Sequence, residues 1–595
     1  MEKKIKKRAP LYGIAAVLLA IVLAATCYNF GVYLPESGSP EGPSPASGLL
    51  NTFSSYEELR SFLTANSETQ GAYPFYGPWD SRIMGEALEG IPAKSAPGLE
   101  FEYSTTNIQV AGVDEADIIK TDGKHIYLVS GNSVFILKAY PTEKAEVLSN
   151  ITFGDTYPVG IFVSQNRLAV LGCKYNVPSG DYYSYYCVDV ETFVNVYDVS
   201  NKTNPTFLRD FTISGSYFNS RRIGEYVYFV ASQPTYIIHN TVILPKIYSK
   251  NGIKEISASE IHYSNGTDNY YLFTTIVALN MQNTEEEPTR MTIMLGGTSS
   301  MYVSLNNLYI TFLEPYGRTS IYRIHIENSN MNCEAKGKVL GRELNQFSID
   351  EYDNYFRIAT TTWVNGNTQN NLYILDMNLT EVGKLENITL AFNEHIDSAR
   401  FMGNRCYLAT SVVQKDPFFV IDVENASEPK ILGYLKIPGF TRYLHPYNEN
   451  HVIGIGKDEN NKVKISVFDV TNVTAPENMT EYKVEGAWSD TLVLTEHKAF
   501  LFDRSKDLLV IPVSTYEEDR YSLWQGAYVF NITLSDDLIL RGNVTHQENG
   551  VNGWNSSYWV KRTLYIEDIL YTVSDKKIKM NSLEDLAFLK EIELP

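Results

Sequence analysis

After residue 100 the chain is built almost entirely from short runs of β-branched and aromatic residues, broken by Gly, Pro, Asn or Asp. Such runs fit pleated, half-buried strands. Between residues 400 and 486 one pattern occurs twice. The first copy reads RFMGNRCYLATSVV, then PFFVIDVENASEPKILGYLKIPG; the second reads RYLHPYNENHVIGIGK, then KVKISVFDVTNVTAPENMTEYKVEG. Asp422 and Asp469 hold the same place in each copy, 47 residues apart. A period of that size, made only of strands and turns, predicts propeller blades. In each copy an apolar strand ends at the Asp and leads into a turn, in which Asn and Ser or Thr bond the local backbone and Pro fixes φ. One unit alone has two sheet faces it cannot bury. Stacking units around an axis buries both, and circular closure protects the edges.

The residues that end the third strand of each unit give an independent count. They are Lys138, Asp198, Asn280, His325, Asp376, Asp422, Asp469, Asn531 and Asn581. The predicted fold is therefore all-β, a large β-propeller of eight or nine four-stranded blades. The longer intervals mark insertions at Tyr175 to Tyr186, Gln233 to Asn269 and Ser514 to Gln525.

Upstream of the repeats the pattern changes. A basic stretch, EKKIKKR, precedes an uncharged apolar run from Leu11 to Cys27, LYGIAAVLLAIVLAATC. That length suits a signal peptide or one membrane-spanning helix, and the basic flank keeps the amino terminus inside and exports the remainder of the chain. We read it as an uncleaved anchor, giving a single-pass membrane protein with the propeller outside the cytoplasm; the alternative is secretion after signal cleavage. The Pro/Ser/Gly stretch PESGSPEGPSPASG is a tether. A Ser-capped helix is expected from Tyr56, with Tyr56, Leu59, Phe62 and Leu63 on one face. The expected organisation is 1–33 anchor, 34–50 linker, 51–100 short helical and irregular segment, and 101–595 propeller.

Charge narrows the partners. With 50 basic and 70 acidic residues the formal net charge is −20, which excludes the basic stripe that nucleic acid requires. Five cysteines are too few for a disulfide scaffold. Cys173 and Cys187 nevertheless flank the Tyr-rich insertion in adjacent predicted strands, and a disulfide is expected there.

The stretch Asn107-Ile-Gln-Val-Ala-Gly-Val-Asp-Glu-Ala-Asp-Ile-Ile-Lys-Thr-Asp-Gly123 resembles the signature of the secreted or membrane-anchored β-propeller domain proteins of archaea and bacteria, distant relatives of WD-repeat propellers. His497-Lys-Ala-Phe-Leu-Phe, Leu509-Val-Ile-Pro-Val and Trp524-Gln-Gly-Ala-Tyr-Val-Phe are similar to further segments of that family, and the repeat units resemble LVIVD-type repeats. The resemblance implies a propeller and an exported location. It implies no reaction, and so no catalytic residues and no cofactor.

Candidate chemistry is sparse. Asp114, Glu115, Asp117 and Asp122 would form an oxygen-rich calcium site if strand ends gathered them; solvated carboxylates in a blade-entry turn are the plainer reading. No G-x-x-x-x-G-K-[ST] loop, no H-E-x-x-H and no G-x-S-x-G occurs. Eleven N-x-[ST] sequons, at Asn150, Asn201, Asn265, Asn378, Asn387, Asn425, Asn472, Asn478, Asn531, Asn543 and Asn555, are glycosylation candidates. The leading functional expectation is a membrane-tethered interaction protein at the cell surface, engaging a protein or glycan of the envelope. The alternatives are an envelope polysaccharide hydrolase or lyase with carboxylates near the axis, and a cation-binding structural surface protein.

Overall fold

The computed structural model describes residues 49–66, 91–94, 101–176, 189–235, 237–238, 240–249, 252–264, 271–314, 317–412, 415–517, 522–535, 538–547 and 556–595. The expected anchor and tether lie outside these residues. Among the described residues no helix is long and apolar enough to cross a membrane.

Among the described residues nine sheets of four strands or more succeed one another along the chain. We number them as blades 1 to 9, spanning 119–152, 156–214, 216–295, 298–340, 349–385, 395–438, 440–483, 488–544 and 562–593. Each is antiparallel in its repeated core, strand by strand in sequence order. Because both faces are covered, the middle strands read as continuous apolar runs rather than as an alternation. Leu168, Ala169, Val170 and Leu171 are all fully buried, with successive side chains facing opposite neighbours.

Nine hydrophobic clusters hold the ring, one between each pair of adjacent blades. Phe418 of blade 6 stacks on Phe468 of blade 7 at 4.6 Å, for example. The cluster that joins blade 9 to blade 1 contains Leu128, Leu137, Tyr571 and Met580. The described residues thus form nine blades. All nine residues chosen from sequence fall within two positions of the end of a third strand.

The turn after the third strand has a repeated build. Asp198, Asp376, Asp422 and Asp469 each accept a hydrogen bond from a backbone N–H two residues on, at 2.8 to 3.0 Å. Asn201, Asn425 and Asn472 repeat the device one step later. The ladder between third and fourth strands is bulged in every blade except blade 3. Fourth-strand glycines then let the next blade's turn press against the backbone. A Cβ on Gly337, Gly383 or Gly433 would lie 2.5, 2.2 or 2.4 Å from a carbonyl oxygen of Leu379, Ala426 or Val473.

Two expectations change. The helix α1 (Tyr56–Asn66) forms, with Leu59 and Leu63 buried. Ser55 Oγ caps the Glu58 N–H at 3.2 Å, and Glu58 reaches back to the Ser54 N–H at 2.6 Å. Yet α1 does not stand ahead of the propeller. Its buried face joins the cluster of blades 2 and 3, together with Val242, Leu244 and Ile256 of the second insertion. That insertion adds strands Lys246–Ser249 to blade 2 and Ile261–Tyr263 to blade 3, so it covers two sheet edges. The third expected insertion, Ser514 to Gln525, belongs largely to a long hairpin of strands Leu508–Glu517 and Ser522–Ile532. The extra length of blade 8 also lies in its inner edge, where residues 492–500 leave the sheet between Trp488–Thr491 and Leu501–Asp503.

Candidate functional site

The family-like stretch from Asn107 lies across the axis of the ring. At the start of the strand Ser104–Ile108, which carries Asn107, Ser104 Oγ accepts the Tyr565 N–H of blade 9 at 2.9 Å. The Asn107 amide donates to the Tyr443 hydroxyl of blade 7 at 3.1 Å and to the His497 carbonyl of blade 8 at 3.2 Å. The Gln109 amide donates to the carbonyls of Gln346 and Ile349, the latter in blade 5, at 3.0 and 3.2 Å. Gly112, at φ +84°, passes so close to Leu305 of blade 4 that a Cβ would lie 3.1 Å from its Cδ2. The backbone of Asp117 exchanges two hydrogen bonds with Ile161 of blade 2, at 2.9 and 3.4 Å. We call residues 103–117 the clasp. Among the described residues neither blade 1 nor blade 9 takes a full strand from the other end of the chain; a single antiparallel bridge joins Tyr103 to Ile566 of blade 9, and the clasp spans what a swapped strand would otherwise fasten.

The four carboxylates expected to gather around a cation are instead shared out among basic groups. Asp114 accepts from Lys120 Nζ at 2.6 Å and from Arg222 of blade 3 at 3.1 Å. Glu115, 2 % exposed, lies 3.6 Å from Arg221 of blade 3 and 3.5 Å from His497 Nε2. Asp117 accepts from Arg562 Nε of blade 9 at 3.0 Å. Asp122 sits in the first turn of blade 1, accepting from Tyr127 Oη at 3.0 Å and facing His125 Nδ1 at 3.1 Å. Among the described residues no group of three or more His, Cys, Asp or Glu is placed to hold a metal.

Electrostatics reflect this pairing. Burial alone would raise the Asp114 carboxyl, but Lys120 and Arg222 outweigh it and hold the group below its usual range. Glu496 behaves alike: burial opposes ionisation, and Lys498 and Arg562 override it. Asp122 is brought to about 2, against the cost of burial, by the hydrogen bonds and charge of His125. His497 is pushed far down by burial and by Lys498, Arg221, Arg562 and Arg400, despite the nearby Glu115. His445, on the other side of Tyr443, is pushed down by burial and Arg400. The Arg562 guanidinium bridges Asp117 and Glu496, at 3.0 and 3.1 Å. Such a bridge commits both carboxylates to one cation. The axial chemistry is that of a charge-compensated brace.

Sequence reasoning named the clasp carboxylates and missed their partners. A signal was present: Arg221-Arg222 interrupts the inner strand Ser216–Ile223, where a buried apolar residue is the default.

Only one arm of the expected Cys173–Cys187 staple lies among the described residues. The ladder partner of Cys173 is Thr192, and its buried thiol is free; Cys187 lies outside the described residues. Cys333 and Cys406 are also free. Of the sequons, Asn265 and Asn555 lie outside the described residues. Asn150, Asn201, Asn378, Asn387, Asn425, Asn472, Asn478 and Asn543 are exposed, and Asn531 is half-buried.

A second site lies on blade 2. Thr156, Lys174, Glu191, Phe193, Asn195, Phe207, Asp210 and Thr212 line an open cleft of about 340 Å³. It occupies the sheet face turned towards blade 1, since Phe193 belongs to the cluster those two blades share. Tyr157 and Tyr175, 5.9 Å apart and both exposed, lie beside it on the opposite face.

With ring, clasp and cleft in view, comparison with known proteins is informative. The profile of the Beta propeller domain family matches residues 103–586, from the first residue of the clasp into the last blade. The chain belongs to this family. An uncharacterized protein of Archaeoglobus fulgidus is 26 % identical across 96 % of this chain and 99 % of its own length. An uncharacterized protein of Methanocaldococcus jannaschii is 28 % identical across 82 % of this chain and 83 % of its own. Solved structures similar to the chain include a putative 6-phosphogluconolactonase from Bacteroides uniformis, at 12 % identity and TM-score 0.33, over 56 % of this chain and 94 % of that one. The dihydro-heme d1 dehydrogenase NirN is 10 % identical, with TM-score 0.35, over 73 % of this chain and 78 % of its own. Likenesses this distant carry no functional argument.

Proposed function

We propose that this chain is an exported, membrane-tethered propeller that acts as a binding protein at the cell surface, engaging a protein or glycan of the envelope. The observation that carries the reading is the distribution of its excursions. In an antiparallel four-stranded blade, the hairpin between second and third strands and the crossover to the next blade share one end of the ring. The strand ends that flank residues 177–188, 235–271 and 545–561 all lie at that end. Tyr157, Tyr175, Trp363 and Phe392 are exposed there, the last two at 55 % and 65 %. Exposed aromatic side chains give large contact area at low entropic cost, which suits recognition. Loops on a rigid scaffold are also where function concentrates. The axial carboxylates, each committed to a basic partner, favour binding over acid–base catalysis at the axis. The basic flank and apolar run of residues 2–27 support export and tethering.

Two measurements test the reading. Protease added to intact spheroplasts should remove everything after the tether; protection of the whole chain would overturn the export half. Residues 49–595, immobilised and exposed to solubilised envelope, should retain a saturable partner. Tyr157→Ser with Tyr175→Ser, or Trp363→Ser with Phe392→Ser, should weaken that retention. If neither pair alters it, this end of the ring is not the recognition surface.

A further inference from the structure

The cleft on blade 2 combines features that general chemistry assigns to a sugar. Its floor is a ladder of polar pairs. Lys174 stands opposite Glu191, and Asn195 stands opposite Asp210. Between them Phe193 stands opposite Thr212. Phe207, 42 % exposed, supplies a phenyl face at the outer lip. An amide, carboxylates, hydroxyls and an ammonium within one cleft match the alternating donors and acceptors of a sugar's hydroxyl groups. A flat apolar ring beside them matches the C–H face of a pyranose. The volume of about 340 Å³ is at the small end of the range for specific ligand sites. The cleft is open along one side, so a chain can continue out of it.

Charge selects among sugars. The lining carries one lysine and two carboxylates, on a molecule of formal net charge −20. An acidic polysaccharide would be repelled by both the near and the far field; a neutral chain would not.

We propose that the blade 2 cleft binds a neutral oligosaccharide, with Phe207 stacking on a sugar face and Asn195, Asp210 and Thr212 hydrogen-bonding its hydroxyls. This rests on the surface-binding reading above and names the partner class for one face of blade 2.

The test is calorimetric titration of the detergent-solubilised full chain with cellohexaose, chitohexaose, mannohexaose and hexagalacturonic acid. At least one neutral oligomer should bind saturably and the acidic one should not. Phe207→Ala and Asp210→Asn should each weaken binding by about tenfold while leaving the thermal midpoint within a degree or so of the parent. Phe207 is exposed and Asn is isosteric with Asp, so neither change threatens folding. Three outcomes would overturn the proposal: no neutral oligomer binds, both variants bind as well as the parent, or the acidic oligomer binds best. Retention of an envelope partner without oligosaccharide binding would sink the proposal and leave the broader surface-binding reading standing. Loss of both would remove the two together.

Discussion

At the scale of single residues, the buried histidines make the fold's response to pH calculable. His445, His497 and His546 are each held neutral, below their ordinary range, mainly by burial. His546 is brought to about 3, its ring nitrogens facing the Ser574 and Thr572 hydroxyls at 2.9 and 2.8 Å. In the unfolded chain each would titrate near 6.5. Between that value and the folded value the unfolded state binds more protons, so stability falls as pH falls. Each such histidine contributes a slope of about 1.4 kcal/mol per pH unit once the pH is well below 6.5. Asp114 and Glu496 have depressed folded values, so their contribution is present above about pH 4 and lost below it. The urea midpoint should therefore drop steadily from pH 7 to pH 4. His546→Gln, which keeps an amide for the two hydroxyls, should make that fall shallower; an unchanged slope would show that His546 does not titrate on unfolding.

At the scale of the element, the repeat was legible because it is local. An apolar run, a terminal Asp or Asn and a Pro-containing turn sit within a dozen residues, and each acts on its own backbone. The chosen strand ends accordingly match at all nine blades, and Ile421 and Phe468 are fully buried while Glu424 is exposed. What could not be read was the use of glycine in the fourth strand. Gly383 answers to Ala426 of the following blade, a contact that no propensity encodes. Replacing Gly383 with Ala forces a methyl group into the next blade's turn and should cost about 1–3 kcal/mol by overpacking. Gly297→Ala is the control, since nothing lies within 4 Å of the added Cβ and its φ is not positive. Denaturant midpoints compare the two. If the two variants are equally stable, the turn of blade 6 yields to blade 5, and blade spacing is softer than the glycine pattern implies.

At the scale of the whole molecule, the difficulty of reading the axis has a physical cause. The clasp side chains find partners hundreds of positions away: Asn107 reaches residue 497 and Asp117 reaches residue 562. A string of acids looks the same in sequence whether it meets calcium, water or arginine. Only ring closure decides, by bringing the inner strands of blades 3 and 9 and the stretch 492–500 of blade 8 around it. The same geometry predicts where the ring is weakest. Eight of its nine joints connect blades that are also neighbours in sequence; the joint from blade 9 to blade 1 has no such link and is held by one hydrophobic cluster, the clasp, and direct hydrogen bonds such as Tyr571 Oη to the Ala139 carbonyl and Ser130 Oγ to the Asp575 carbonyl. Removing Arg562 leaves the buried Asp117 and the half-buried Glu496 without their shared cation, and breaking a buried pair from one side costs about 3–5 kcal/mol. Arg562→Met should therefore act on this joint before any other. Hydrogen exchange of the full chain would reveal it as faster exchange in residues 119–152 and 562–593, with blades 4 to 6 still protected. Lys561→Met, one residue away, breaks a partly exposed ion pair with Asp575 and should leave exchange unchanged, because such pairs contribute only about 0–1 kcal/mol. Uniform loss of protection around the ring in Arg562→Met would mean that the propeller opens as one cooperative body and that the clasp fastens no particular joint.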